Sequence, residues 1–167
     1  MKKLVYLFLG LSLVFVSCSK DDDGGDGGSA AEGQLKATVD GNSFSSMEIA
    51  TTAVEQTAGG MTTILIQGSN VDGKGISITI SGFDGVGTYD LGGGANIYST
   101  AIYTEANIND PMNSKTWVAP YDETVAGKVK ISEKTDAKIK GTFSFKAKDE
   151  ENGTFKEISS GSFNVSF

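Results

Sequence analysis

The sequence predicts an all-β protein, an antiparallel meander of about nine short strands forming a sandwich or a flattened barrel. Two observations carry this expectation. From Gln34 to Phe167, apolar and polar residues alternate with period two, as in strands that bury one face and wet the other. The alternation is punctuated by Asp40-Gly41, Gly59-Gly60, Asp72-Gly73, Asp84-Gly85 and Asn152-Gly153, pairs that tolerate the positive φ of tight hairpins. The stretch 34–167 has the length of one domain.

Taken in order, the first strand is placed at 34–40 and ends on Asp40-Gly41. The second, 43–56, contains the ambiguous part of the chain. There Met47, Ala50, Ala53, Val54 and Ala58 make a weak helical stripe, but Thr51 and Thr52 favour strand. The third, 61–69, lies between Gly59-Gly60 and Asp72-Gly73. The fourth, 74–83, alternates Ile76, Ile78 and Ile80 with Ser77, Thr79 and Ser81. Strands at 96–105 and 115–120 flank the Asp110-Pro111 turn, and 125–134 precedes the clearest case, 137–149. In that segment Ile139, Gly141, Phe143, Phe145 and Ala147 alternate with Lys138, Lys140, Thr142, Ser144, Lys146 and Lys148. The ninth, 154–167, alternates Phe163, Val165 and Phe167 with Ser162, Asn164 and Ser166, and an alternative reading divides it at Gly161. A transmembrane barrel also alternates, but no clear aromatic girdles are present.

The N-terminus carries a different kind of information. Lys2 and Lys3 precede an apolar run from Leu4 to Val16, and small Ser17 follows, the layout of a secretory signal. The run is thirteen residues long, whereas a spanning helix needs roughly 20. Phe15-Val16-Ser17-Cys18 resembles a bacterial lipobox, with Phe15 where Leu is the more frequent residue. The resemblance implies cleavage after residue 17 and a diacylglyceryl thioether on Cys18. Cys18 is the only cysteine, so no disulfide within the chain competes for it. About three acyl chains on one residue hold a protein stably in a membrane.

Ser19-Lys20-Asp21-Asp22-Asp23 resembles the lysine-plus-acidic export signal of Bacteroidetes surface lipoproteins. A charge run that merely solvates a tether is the plainer alternative. The chain then continues Gly24-Gly25-Asp26-Gly27-Gly28-Ser29-Ala30-Ala31-Glu32-Gly33, too polar and glycine-rich to bury a core. Residues 18–33 form a flexible tether spanning about 20 to 24 Å root-mean-square. Its aspartates do not meet the spacing of a calcium loop. The expected organisation is therefore a cleaved signal at 1–17, a lipidated tether at 18–33 and a β domain at 34–167.

Within the domain, Ala37-Thr38-Val39-Asp40-Gly41-Asn42-Ser43-Phe44, Gly87-Thr88-Tyr89-Asp90-Leu91, Gly141-Thr142-Phe143-Ser144-Phe145 and Gly161-Ser162-Phe163 follow one another. In that order they resemble a domain-of-unknown-function family of small Bacteroidetes lipoproteins. The resemblance implies an all-β extracytoplasmic fold and brings no catalytic residues. The motifs read as architecture, glycines at turns with an aromatic packed beside them.

Composition closes several routes to chemistry. All 14 basic residues are lysine, with no arginine and no histidine. Triads built on histidine are impossible, and zinc would lack imidazole and, after lipidation, thiolate. No metal or other cofactor is expected. Bidentate guanidinium recognition of phosphate is absent too, and no nucleic-acid partner is expected. A two-carboxylate hydrolase remains arithmetically open through Asp84, Asp90, Glu105, Asp110, Asp122 and Glu123. Surface carboxylates at strand ends more often solvate or form turns, so the chain is read as a non-enzyme.

Two surfaces could bind a partner. Lys128, Lys130, Lys134, Lys138, Lys140, Lys146 and Lys148 fall on the predicted wet faces of two neighbouring strands. Such a stripe suits acidic polysaccharide or lipid headgroups, or it simply blocks edge pairing. The irregular segment from Asp84 to Tyr121 holds Tyr89, Tyr98, Tyr103, Trp117 and Tyr121. There Tyr98, Tyr103 and Trp117 are the candidate platforms for sugar rings, with Asn96, Asn107, Asp110 and Asn113 nearby in sequence. The alternative places these rings in the core.

The expectation from sequence is a monomeric, lipid-anchored outer-membrane protein facing the cell exterior and acting without catalysis as a binding or structural module. Its membrane partner is reached through acylated Cys18, and its other partner is a polysaccharide or an envelope protein. The alternatives are a periplasm-facing lipoprotein of an envelope complex and a small carboxylate hydrolase.

Overall fold

The computed structural model describes residues 29–94 and 99–167. The segments expected to be a signal, a lipobox and an export motif, together with Asn96 and Tyr98, lie outside the described residues. Among these residues the chain forms eleven strands: β1 (Gln34–Val39), β2 (Asn42–Ser45), β3 (Thr51–Ala58), β4 (Met61–Ser69), β5 (Lys74–Ser81), β6 (Gly87–Gly92), β7 (Thr100–Glu105), β8 (Lys115–Ala119), β9 (Val125–Lys134), β10 (Lys138–Lys148) and β11 (Phe155–Ser166). The fold is all-β and antiparallel, one sheet curled into a half-barrel.

The sheet forks at β10. That strand pairs with β11 along one flank, and on the other it meets β9 from Ile139 to Phe145 and Val118 of β8 at Lys148. One arm runs β6-β9-β10-β11-β1-β2, and the other runs β8-β7-β5-β4-β3. Inward residues of both arms join a single core. Apolar residues lie inside and polar residues outside, the reverse of a transmembrane barrel.

Turn chemistry places the hairpins. Asp40 (φ 46) and Gly41 (φ 80) link β1 to β2, and Gly59 and Gly60 (φ 59 and 79) link β3 to β4, both with the two positive φ values of a two-residue turn. The predicted strand 43–56 is divided: a short 3-10 turn, Glu48–Ala50, separates β2 from β3. Asp84-Gly85 is not a hairpin. It redirects the chain to β6, a strand the alternation did not predict, which pairs with β9 rather than β5. Tyr89 fixes this crossing, since its hydroxyl lies 2.6 Å from the Gly85 carbonyl and 2.8 Å from Asp84 Oδ1 and accepts the Asp84 amide. Burial and the Asp84 carboxylate raise the pKa of that phenol.

Two of the family-like motifs prove to be a reciprocal pair. Gly141 faces Phe163 and Phe143 faces Gly161 across β10 and β11. A Cβ on Gly161 would stand 2.5 Å from the Phe143 ring, and one on Gly141 would stand 2.5 Å from Phe163 Cζ. Each ring thus covers the glycine opposite, and the two rings stack with centroids 6.2 Å apart. These glycines stand inside strands, not at turns, which corrects the sequence reading. The break expected at Gly161 is a bulge in a continuous strand: both neighbours of β11 shift register there, and Ser160 adopts φ 48.

The domain also takes in the last residues before β1. Ala30 is buried, and the Gly33 amide donates to the Asn164 carbonyl at 2.8 Å. The chain therefore joins the lysine-bearing arm beside β11.

Candidate functional site

Tyr103 and Trp117 are partners across β7 and β8. They share the inward alternation with Ala101 and Ala119, and they are only 1% and 3% exposed. Their ring centroids lie 5.7 Å apart. Tyr103 Oη donates to Glu105 Oε1 at 3.0 Å, and Trp117 Nε1 donates to Thr154 Oγ1 at 3.0 Å. Lys156, inward like Ile158, places Nζ 5.1 Å from the Trp117 ring centre and 5.9 Å from that of Tyr103. The same ammonium lies 3.1 Å from Asp40 Oδ2 and 3.4 Å from Glu105 Oε1. The expectation that these two rings are sugar platforms is corrected: their faces are occupied by the chain's own cation and their polar atoms are satisfied.

The electrostatics of this cluster are those of a closed unit. Burial pushes the Tyr103 phenol far above its usual range, aided by Glu105. Burial disfavours the Lys156 ammonium, but Asp40 and Glu105 outweigh it and raise its pKa. The Glu157 amide, donating to Asp40 Oδ1 at 2.9 Å, lowers the Asp40 carboxyl against the pull of burial, and Lys156 adds to the effect.

Five of the six candidate carboxylates, all but Glu123, are engaged one by one. Asp84 holds Tyr89, Asp90 pairs with Lys128 at 3.6 Å, Glu105 belongs to the Lys156 cluster, Asp110 bonds Asn113, and Asp122 accepts the Thr124 amide. No group of three metal-binding side chains occurs among the described residues.

The lysine stripe is real but one member is misplaced. Lys128, Lys130, Lys138, Lys140, Lys146 and Lys148 stand outward on β9 and β10. A register shift opposite Lys140/Gly141 turns Lys134 inward, where Nζ meets Glu55 at 2.8 Å and lies 4.6 Å from the Phe167 ring centre. Between Lys128, Lys130, Thr142, Ser144, Ser159 and Ser160 lies a shallow basin of about 650 Å³.

The opposite arm has a different surface. Every outward residue of β3, β4, β5, β7 and β8 is uncharged, from Thr52 and Val54 on β3 to Thr116 and Val118 on β8. The charges on these strands, Glu55, Lys74, Glu105 and Lys115, fall on the inward alternation at strand ends or on the edge strand. One register row crosses this face: Gln67, Ser77, Ile102 and Val118, continuing to Lys148 and Phe155 beyond the fork. Five interstrand steps make it about 24 Å long.

Two depressions touch that row. One of about 260 Å³ is lined by Gln67, Ser77 and Ile102, and another of about 280 Å³ by Thr116, Val118 and Asn152 together with the charged Lys115, Asp149, Glu150 and Glu151. At the far end Phe155 is 45% exposed and meets Tyr121 edge-on at 5.3 Å, and Lys146 Nζ stands 4.5 Å from the Phe155 ring centre. Sequence reasoning missed Phe155. The available signal was its parity: it alternates with Lys156 and Ile158, so an inward Ile158 sends Phe155 out.

Residues 31–165 match a family described as a domain of unknown function, DUF6252. The chain belongs to this family. No curated protein and no solved structure matches the chain. The match begins one residue after buried Ala30, so this DUF6252 domain coincides with the folded unit.

Proposed function

We propose that this DUF6252 domain is a lipid-anchored, non-catalytic binding module whose ligand is an extended, neutral polysaccharide lying along the Gln67 to Phe155 row. One observation carries the reading. A row about 24 Å long crosses an uncharged sheet face from Gln67 to Val118, touches both depressions, passes Lys148, which pairs with Glu150 at 3.5 Å, and ends on an exposed aromatic ring. Sugars present hydroxyls around apolar ring faces, and the row offers the complements: the Gln67 amide and Ser77 hydroxyl, the aliphatic Ile102 and Val118, and the Phe155 edge and face. Along Gln67 to Val118 a charged ligand would meet no outward counter-charge, and a neutral one needs none.

The anchoring part rests on the N-terminal sequence, with Cys18 acylated, Ser19-Lys20-Asp21-Asp22-Asp23 acting in export and the domain facing the medium from the outer membrane. It also rests on the resemblance to Bacteroidetes surface lipoproteins. Display of many copies on one membrane lets weak contacts add through avidity. The test is a polysaccharide array probed with wild type, Phe155→Ala and Ile102→Glu. Neutral glycans should bind wild type, and both variants should lose that signal while keeping a nearly unchanged thermal midpoint. If wild type ignores every glycan but retains an envelope protein in a cross-linking experiment, the envelope-partner alternative replaces this reading.

A further inference from the structure

We infer that the outward face of the β6-β9-β10-β11-β1-β2 arm is a docking surface for an anionic lipid bilayer. The inference rests on the anchoring reading for its biological setting. The chain as a whole carries a net charge of −7, yet the strands of this face present Lys36, Lys128, Lys130, Lys138 and Lys140, with Lys146 and Lys148 at the Phe155 end, against only Asp90, Glu133 and Glu157. Asp90 is matched to Lys128 at 3.6 Å, and Glu133 to Lys138 and Lys140 at 3.0 and 3.2 Å. Lys36 and Lys130 have no carboxylate partner among the described residues.

The covalent geometry selects a membrane as the occupant. Gly33 and Gln34 join this same arm, Gln34 standing in one register row with Asn164, Lys140 and Glu133. From Cys18 to Ser29 the chain reaches at most about 40 Å even fully extended, so an acyl group on Cys18 holds the domain within reach of the headgroups, and the charge of each face decides which one meets them. Lysines near an anionic surface attract it within a Debye length of about 8 to 10 Å. Docking through the lysines of β1, β9 and β10 leaves the outward face of the other arm, with Gln67, Ser77, Ile102 and Val118, free of headgroup contact. A lysine-rich face on an acidic protein is thereby an orienting device.

The test uses the chain from Cys18 onward, its single thiol coupled to a maleimide lipid, so attachment does not depend on cellular acylation. Vesicles of phosphatidylcholine alone and of phosphatidylcholine with phosphatidylglycerol are treated with a water-soluble acetylating reagent, and each lysine is read by mass spectrometry. Each lysine reaching the headgroup layer should favour the docked orientation about fivefold. Lys130 and Lys140 should therefore label several-fold more slowly on anionic vesicles, Lys74 and Lys115 should not change, and high salt should erase the difference.

The double variant Lys130→Glu, Lys140→Glu should abolish the protection of Lys36 and Lys138. Uniform labelling, equal protection on both vesicles, or protection already present in free protein would overturn the proposal. So would protection produced by an acidic polysaccharide but not by anionic vesicles. Palmitate labelling of Cys18 in cells is a separate readout. Its absence would sink the anchoring reading while leaving the vesicle result intact.

Discussion

Two aromatic pairs in this domain have nearly the same composition and opposite uses. Tyr103 and Trp117 face inward, are almost wholly buried, and have their π faces covered by Lys156. Tyr121 and Phe155 meet edge-on at the surface, with Phe155 45% exposed. The difference is one of strand parity, since Phe155 and Lys156 are neighbours that a β-strand sends to opposite sides. An aromatic's availability to a ligand is thus decided by register, and its residue type says little.

The buried pair yields the largest expected effect. Trp117→Ala removes a fully packed ring and leaves the Lys156 ammonium without one wall of its cage, so it should cost about 3 to 5 kcal/mol in urea unfolding. A loss below about 1 kcal/mol would mean that the ring is a surface element and the comparison fails. Phe143→Ala should cost a similar amount, since that ring covers Gly161 and stacks on both Phe145 and Phe163.

Next in size is Gly141→Ala. The added Cβ would press on the Lys130 carbonyl and on the Phe163 ring, so either β9 and β10 separate or the ring moves. Overpacking of this kind costs about 1 to 3 kcal/mol. The same change at Gly153, with open space around it, meets no such wall and tests only the backbone: φ there is 71, and the loss should be smaller. Gly141 itself has no positive φ, so a loss there no larger than at Gly153 would show that the covering ring gives way to the added methyl.

Much of the fold was legible because alternation and turn chemistry agree. The runs at β4, β5, β9, β10 and β11 sit within two residues of their predicted bounds, and the Asp40-Gly41 and Gly59-Gly60 turns have the positive φ values those residues permit. What was not legible depends on pairing. β6 was hidden because Asp84-Gly85 looks like a hairpin, whereas only Tyr89, bonded back to that turn, shows the chain crossing to β9. The site was less legible still. The parity of Tyr103 could be read from Ala101, but Ile102 on the other face disguises it. The row from Gln67 to Phe155 joins six strands, so it exists only after every register is set.

The Lys156 cluster makes a pH prediction that separates the buried pair from the exposed one. Asp40 binds its proton more weakly when folded than when unfolded, so the unfolded chain takes up more protons as acid is added. Its contribution is present above the ordinary carboxylate range, near pH 4, and is lost as pH falls through the lower folded value. Lys156 has the opposite sign: its raised pKa stabilises below the ordinary lysine range and fades as pH rises through the folded value. Asp40→Asn should flatten the acid limb of a stability-against-pH curve, and Phe155→Ala should leave both limbs unchanged. An acid limb that Asp40→Asn does not alter would place the carboxyl in solvent, outside the cluster.

The smallest expected effects come from two lysines that the alternation had treated alike. Lys130 stands outward and exposed on β9, whereas the register shift between β9 and β10 sends Lys134 inward. Only 17% of the Lys134 side chain is exposed, with Nζ 2.8 Å from Glu55 of the edge strand β3 and over the Phe167 ring. Lys134 therefore ties the free edge of one arm to the end of the other, a contact between strands that share no ladder. Lys134→Ala should cost about 1 kcal/mol, the upper range for a partly exposed pair, and Lys130→Ala should cost under about 0.5. Hydrogen exchange sharpens the contrast: β3 amides should exchange faster in Lys134→Ala and at the wild-type rate in Lys130→Ala. If both variants loosen β3 equally, the bulge does not set the side of the sheet on which Lys134 lies. The parity argument that separates Phe155 from Trp117 would then need another basis.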